Sequence, residues 1–261
     1  MRRLGEGAWA EVFAVGDDRC LKRARPVALA QKDSDAQGVA QGTGSLGKSL
    51  LQPHDVLIEQ GKQLQAIHHP GWVRCHDIVS DEGRVALLLD RVPGRGLKRG
   101  DSPALLASVA EALVAGPHLD LKPNNILVNG DKAVLIDPGY ADHLPHWSNL
   151  ITTVAYNPFL DVNDVASLGL LLRFVLTGDP PVTDVGTTLM SKNVADAIAA
   201  GRALGRHGLA LVTSLPDKPL DKFAPIVWRA LGMKRDADGC FHLEEAYATP
   251  AQFANALRKV L

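Results

Sequence analysis

The stretch from His118 to Gly139, HLDLKPNNILVNGDKAVLIDPG, constrains the fold of this chain more than any other part of it. Two short apolar runs, Ile126–Val128 and Ala133–Ile136, are rich in β-branched residues and flank Asn129-Gly130-Asp131. Apolar runs of this kind around an Asn-Gly turn signal read as a β-hairpin. A hairpin returns the chain to its starting point, so Asn125, before the first strand, comes beside Asp137, after the second. Asp120 and Lys122 lie just ahead on the same approach. A buried strand-turn-strand with solvated ends accounts for the apolar runs. It does not account for four polar residues of these types at these offsets.

Such a set suits phosphoryl transfer from a magnesium nucleotide. That chemistry needs a carboxylate to orient the attacking hydroxyl, a cation near the moving phosphoryl group, and an amide plus a carboxylate on Mg²⁺. His-Leu-Asp-Leu-Lys-Pro-Asn-Asn-Ile-Leu resembles the catalytic loop of the protein-kinase superfamily, and Asp137-Pro138-Gly139 resembles its metal-binding Asp-Phe-Gly motif. Lys122-Pro123 is similar to the serine/threonine branch; aminoglycoside and choline kinases share the fold but usually carry another residue at that lysine. The resemblance implies that Asp120 orients the hydroxyl and takes its proton and that Lys122 steadies the γ-phosphoryl group. It assigns Asn125 and Asp137 to Mg²⁺.

The front of the chain carries matching features. Leu4–Phe13 resembles the kinase glycine-rich loop, with Gly5, Gly7 and Val12 over the nucleotide and Ala10 where a third glycine usually sits. Residues without a Cβ let backbone come close to phosphates. Ten residues after Val12 stands Lys22, in the register of the strand lysine that contacts the α- and β-phosphates. The family pairs that lysine with a glutamate on the next helix. The segment Val56–Ile67 has helical apolar spacing at Leu57, Leu64 and Ile67. Glu59 is its only acid and is the expected partner, although counting back from His69-Pro70 favours Gln60 by one position. Gly61 weakens the helix locally, by about 1 kcal/mol relative to Ala.

A polar insertion, Arg25 to Asp55, separates Lys22 from this helix. Within it Gly42–Ser49, GTGSLGKS, satisfies the Walker A pattern. A phosphate-binding loop of that kind must follow a buried apolar strand. Asp33–Gln41 is no such strand, so the segment reads as a flexible loop with phosphorylatable Ser45 and Ser49.

Downstream, Arg84–Asp90 is an apolar strand broken by Val92-Pro93-Gly94. It resembles the fifth strand and hinge of the family, with Leu89 as gatekeeper and the backbone of Asp90 and Val92 facing the adenine edge. Helices are expected at Pro103–Ala115, Lys192–Ala203, Leu220–Leu231 and Thr249–Leu261. The segment Asp161–Leu172 resembles the family's buried central helix, and Asp164 anchors the catalytic-loop backbone. Several positions depart from the family pattern. Leu119 replaces the arginine that grips an activation-segment phosphate, and Pro138 replaces the usual Phe. Phe159 stands at a usual glutamate and Tyr247 at its partner arginine, implying a packing contact in place of an ion pair. Thr153 is expected to hydrogen-bond Asp120 and Lys122.

The expected fold is α+β and two-lobed, with 261 residues in one kinase-like domain. A small β-rich lobe with one main helix spans 1–89, a hinge 90–96, and a larger, mainly α lobe 97–261. The expected activity is ATP- and Mg²⁺-dependent transfer to a serine or threonine hydroxyl of a protein, with autophosphorylation as one available reaction. The alternatives are a pseudokinase that binds nucleotide and signals through shape, and a small-molecule kinase on the same fold. A formal charge of -1 gives no electrostatic reason to expect nucleic acid or an anionic membrane as partner. The longest apolar helical run, Val165–Val175, is too short to span a bilayer and contains Arg173. Gly5-Glu6-Gly7 stands where a signal peptide needs an apolar core. Cys20, Cys75 and Cys240 are widely spaced and read as reduced thiols, so a cytoplasmic location is expected.

Overall fold

The computed structural model describes residues 1–7, 9–26, 52–139, 164–178, 220–238 and 241–261. They form two compact units, one running to Val92 and the other beginning at Pro93. The Walker-like segment 42–49, the expected helix 192–203, Thr153, Phe159 and Cys240 lie outside the described residues.

The first unit is an antiparallel sheet of β1 (Arg3–Glu6), β2 (Ala10–Val15), β3 (Arg19–Ala24), β4 (Cys75–Asp81) and β5 (Arg84–Asp90), in the order β1-β2-β3-β5-β4. Its hairpins follow from turn chemistry. Between Asp81 and Arg84 the two turn residues, Glu82 and Gly83, both have positive φ (50° and 73°), as a primed turn requires. The helix α1 (Pro53–Ala66) enters on a proline in its first turn, where a missing N–H costs nothing. Directly opposed residues of an antiparallel pair share a face. Val12, Lys22 and Leu87 are therefore on one side of the sheet, with Cys20 and Leu89 two residues along. The buried side of α1 (Val56, Leu57, Gln60, Gly61 and Leu64) packs there.

Gly61 belongs to that contact. A Cβ at this position would stand 2.7 Å from Leu87 Cδ2 and 2.8 Å from Ile78 Cδ1. The glycine that weakens the isolated helix is what lets it lie close on the sheet. Gly61→Ala is expected to destabilise the protein by about 1–3 kcal/mol through overpacking, against the usual helix gain from alanine. Denaturant unfolding measures it, and a stabilised variant contradicts the close approach.

Cys20 and Cys75 are free thiols, both buried. Burial pushes the Cys75 thiol up to about 11. The thiolate is the reactive form, so alkylation of Cys75 at pH 8 is expected to run about a hundredfold slower than in the unfolded chain. Mass-spectrometric labelling with and without denaturant reads this directly, and equal rates refute it.

The second unit opens with β6 (Arg95–Gly96), β7 (Ile126–Asn129) and β8 (Lys132–Leu135), in the order β6-β7-β8. The expected hairpin is present, with Asn129 opposite Lys132 and Gly130 at φ 63° in the turn. Helix α2 (Pro103–Ala112) is capped by Ser102, whose Oγ accepts from Ala104 N–H at 3.3 Å. Helix α3 (Asp164–Thr177) is buried nearly all round, which explains its unbroken apolar sequence. Gly169 lets α4 (Ala224–Ala230) approach; a Cβ there would meet Ala230 Cβ at 2.7 Å. Strands β9 (Met233–Arg235) and β10 (Phe241–Leu243) pair with each other. Helix α5 (Pro250–Arg258), capped by Thr249, ties to α2 through a bidentate Arg258–Glu111 pair at 2.7 and 2.8 Å.

Tyr247 is buried. It meets Phe253 edge-on, with centroids 6.1 Å apart, and carries the Arg229 guanidinium over its ring at 4.9 Å. Tyr247 thus packs against Phe253 and Arg229, while its expected counterpart Phe159 lies outside the described residues. Among the described residues, no helix is long and apolar enough to cross a membrane.

Candidate active site

In the first unit Val12 and Lys22 share the sheet face under α1. Gly5 and Gly7 lie in and after β1, both exposed, and a Cβ on either would meet nothing within 4 Å among the described residues. Packing inside the protein therefore does not demand glycine there. Close approach by a bound molecule would. Lys22 is buried, and its Nζ donates to Gln60 Oε1 at 2.6 Å. This corrects the expectation for Glu59. That carboxylate sits on the flank of α1 and pairs with Lys62 at 2.6 Å, largely in solvent. The reason is helical phase. Gln60 is three and four residues from the buried Leu57, Val56 and Leu64, on the stripe that meets the sheet, while Glu59 is turned off it. The only acid in the segment drew attention to the wrong position.

At the end of β5, the Asp90 N–H donates to the Arg74 carbonyl at 3.0 Å. Its carbonyl accepts from the weak Cys20 thiol, at 3.6 Å. The Asp90 carboxylate is 2.5 Å from His76 Nε2.

In the second unit the catalytic-loop candidates converge as the hairpin implied. Asp120 Oδ2 accepts from Lys122 Nζ at 2.7 Å and from Asn125 Nδ2 at 3.1 Å. The same Asn125 nitrogen lies 2.9 Å from the Asp120 carbonyl and 3.3 Å from that of Asp137. One amide thus joins the two acidic residues across the hairpin, and the Ile136 N–H closes on the Asn125 carbonyl at 3.0 Å. With its nitrogen committed to these oxygens, the Asn125 side chain has its oxygen as the remaining donor atom for a ligand. An amide oxygen and the Asp137 carboxylate are hard donors of the type Mg²⁺ takes when phosphates complete its shell. The residues therefore fit that ion.

A second layer holds this geometry. The Asp164 carboxylate accepts from the backbone N–H of His118 at 2.7 Å and of Leu119 at 2.9 Å. His118 is fully buried; its Nε2 lies 2.8 Å from the Ile136 carbonyl, and its Nδ1 accepts from Asp120 N–H at 3.2 Å. Burial pushes the imidazole below its usual range, against the pull of Asp164. The neutral ring with the proton on Nε2 satisfies both contacts. Burial likewise raises the Asp164 carboxyl, opposed by His118 and the two N–H donors. Gly139 N–H donates to the His118 carbonyl at 2.7 Å, and a Cβ on Gly139 would lie 2.9 Å from Asp120 Cβ. Only glycine lets the two loops close this tightly.

Leu119 and Asp137 both take left-handed backbone, at φ 65° and 57°. Non-glycine residues there cost on the order of 1–3 kcal/mol each and persist where surrounding contacts enforce them. At Leu119 and Asp137 those contacts are the Asp164, His118 and Asn125 hydrogen bonds. Asp164 was legible from the sequence. The His118 latch and the Gly139 approach were not, because both depend on how two loops stack.

No protein-family model matches the chain. Among curated proteins, serine/threonine-protein kinase cds1 of Schizosaccharomyces pombe is 30% identical over 83 residues, 26% of this chain and 18% of that protein's length. Among solved structures, the kinase domain of Mycobacterium tuberculosis PknI aligns over 100% of this chain and 94% of its own, with a TM-score of 0.55 and 18% identity. A second crystal structure of that domain gives a TM-score of 0.54 with 99% of this chain covered. This α+β chain has the fold of the protein-kinase superfamily.

Proposed function

We propose that this chain is a protein kinase that transfers the γ-phosphoryl group of ATP to a serine or threonine hydroxyl of a protein, with Mg²⁺. The observation that carries this reading is the Asp120 carboxylate held by Lys122 and Asn125, with Asn125 reaching on to Asp137. Asp120 orients the acceptor hydroxyl and takes its proton. Lys122, which donates to that carboxylate, steadies the transferred group. Asn125 and Asp137 hold the ion, which when bound neutralises charge on the phosphates. Lys22 binds the α- and β-phosphates beneath the backbone of Gly5 and Gly7.

Leu119 presents no cation to an activation-segment phosphate. The proposal therefore includes activity without phosphorylation of that segment. The test uses a phosphatase-treated chain, γ-labelled ATP and a mixed protein and metabolite acceptor pool, with phosphosites mapped by mass spectrometry. Label on protein Ser or Thr, lost in Asp120→Ala, is the expected result. Label only on a small molecule would assign the chain to metabolite kinases. Nucleotide binding without any transfer would make it a pseudokinase.

A further inference from the structure

The side chain that α1 presents to Lys22 is an uncharged amide. The Lys22–Gln60 hydrogen bond is short, 2.6 Å, and both residues are buried, 7% and 8% exposed. An ammonium has only donors, so the amide must offer its oxygen, and that choice fixes the orientation of the Gln60 side chain. The helix has little freedom to withdraw it. Gly61, the next residue, lies so close to Leu87 and Ile78 that a single added Cβ would clash. On the helix side, Lys22 thus meets a dipole that adds no negative charge.

We infer that Gln60 is the positioning residue for Lys22, and that its neutrality tunes this site toward strongly anionic polyphosphate ligands. This inference rests on the proposed nucleotide-binding role of Lys22. A carboxylate in the same place would orient the lysine equally well. It would also set a negative charge within one side chain of the phosphates that Lys22 attracts, in a buried setting where such charges are poorly screened. With glutamine the phosphates meet the lysine without that opposing charge on the helix side. The contribution should scale with ligand charge: large for a triphosphate, smaller for a diphosphate, absent for a nucleoside.

The experiment measures Mg-ATP and adenosine affinity, and kcat, for the parent chain, Gln60→Glu and Gln60→Met. Gln60→Glu is expected to weaken Mg-ATP binding roughly three- to tenfold while leaving adenosine affinity unchanged, since only the polyphosphate senses the new charge. Gln60→Met keeps the size but offers Lys22 no comparable acceptor. It is expected to lower kcat at least fivefold, with ATP affinity changed less than kcat, and Gln60→Glu is expected to retain more of kcat than Gln60→Met. A merely structural role would shift ATP and adenosine together in both variants. Equal or tighter ATP binding by Gln60→Glu, or a parental kcat in Gln60→Met, overturns the inference while leaving the kinase reading intact. A parent chain that binds neither ATP nor adenosine removes the kinase reading and this inference with it. If Gln60→Glu does not fold, the Gln60→Met kinetics alone decide.

Discussion

Asp120→Asn protein is expected to transfer phosphate about 10²- to 10⁴-fold more slowly than the parent chain, the range associated with loss of a general base. Its nucleotide affinity should stay close to parental. The substitution keeps the shape and one oxygen for Lys122 and Asn125, which now approach the Asp120 carboxylate at 2.7 and 3.1 Å. It removes the charge that the proposed function uses to orient and deprotonate the hydroxyl. Asp137→Ala should lose activity by a comparable factor for a different reason, because it removes a hard oxygen donor for Mg²⁺. Raising Mg²⁺ concentration would partly restore Asp137→Ala and leave Asp120→Asn unchanged. Single-turnover kinetics with a titrated metal distinguish the two. An Asp120→Asn rate within threefold of the parent would remove Asp120 from the chemistry.

Asp164→Ala is expected to cost about 2–6 kcal/mol of stability, because two N–H groups, one buried and one part-buried, lose their acceptor at about 1–3 kcal/mol each. Those groups are on His118 and Leu119, and the second belongs to a residue held at φ 65°. Once the carboxylate is gone, Leu119 has less reason to remain in the left-handed region. Asp120 follows it in the chain and should lose its place. Activity should therefore fall with stability although Asp164 touches no reacting atom. Asp164→Asn, which retains an acceptor oxygen, should recover part of both. Urea unfolding followed by a probe in the second unit measures the change, and a loss below about 1 kcal/mol would show that water replaces the carboxylate.

Much of this site could be read without coordinates, for a definite reason. Asp120, Lys122, Asn125 and Asp137 are brought together by a hairpin whose turn, Gly130-Asp131, follows Asn129 directly and is encoded locally. Local encoding makes sequence spacing a good guide to distance. The helix α3 was legible in the same way, since an apolar run opened by Asp164 has few other uses. Gln60 was harder. Residues 59 and 60 differ by one step of helical phase, and only the packing of α1 on β4 and β5 decides which one meets Lys22. Gly61 carried the missing signal. Judged as a helix residue it counted against the segment; judged as a contact it marks the point of closest approach.

By itself the sequence determined which chemistry the chain can hold: the identities of its acids, amides and lysines, their strands and turns, and the hairpin that gathers four of them. Tertiary structure alone decided which side chain meets Lys22 on the helix side, how His118 and Asp164 lock the loop, and why glycine fits best at Gly61 and Gly139. Hairpin geometry is set by neighbouring residues and so is written along the chain. The phase of a packed helix and the distance between stacked loops are set by steric fit between segments far apart in sequence, and no local pattern records them.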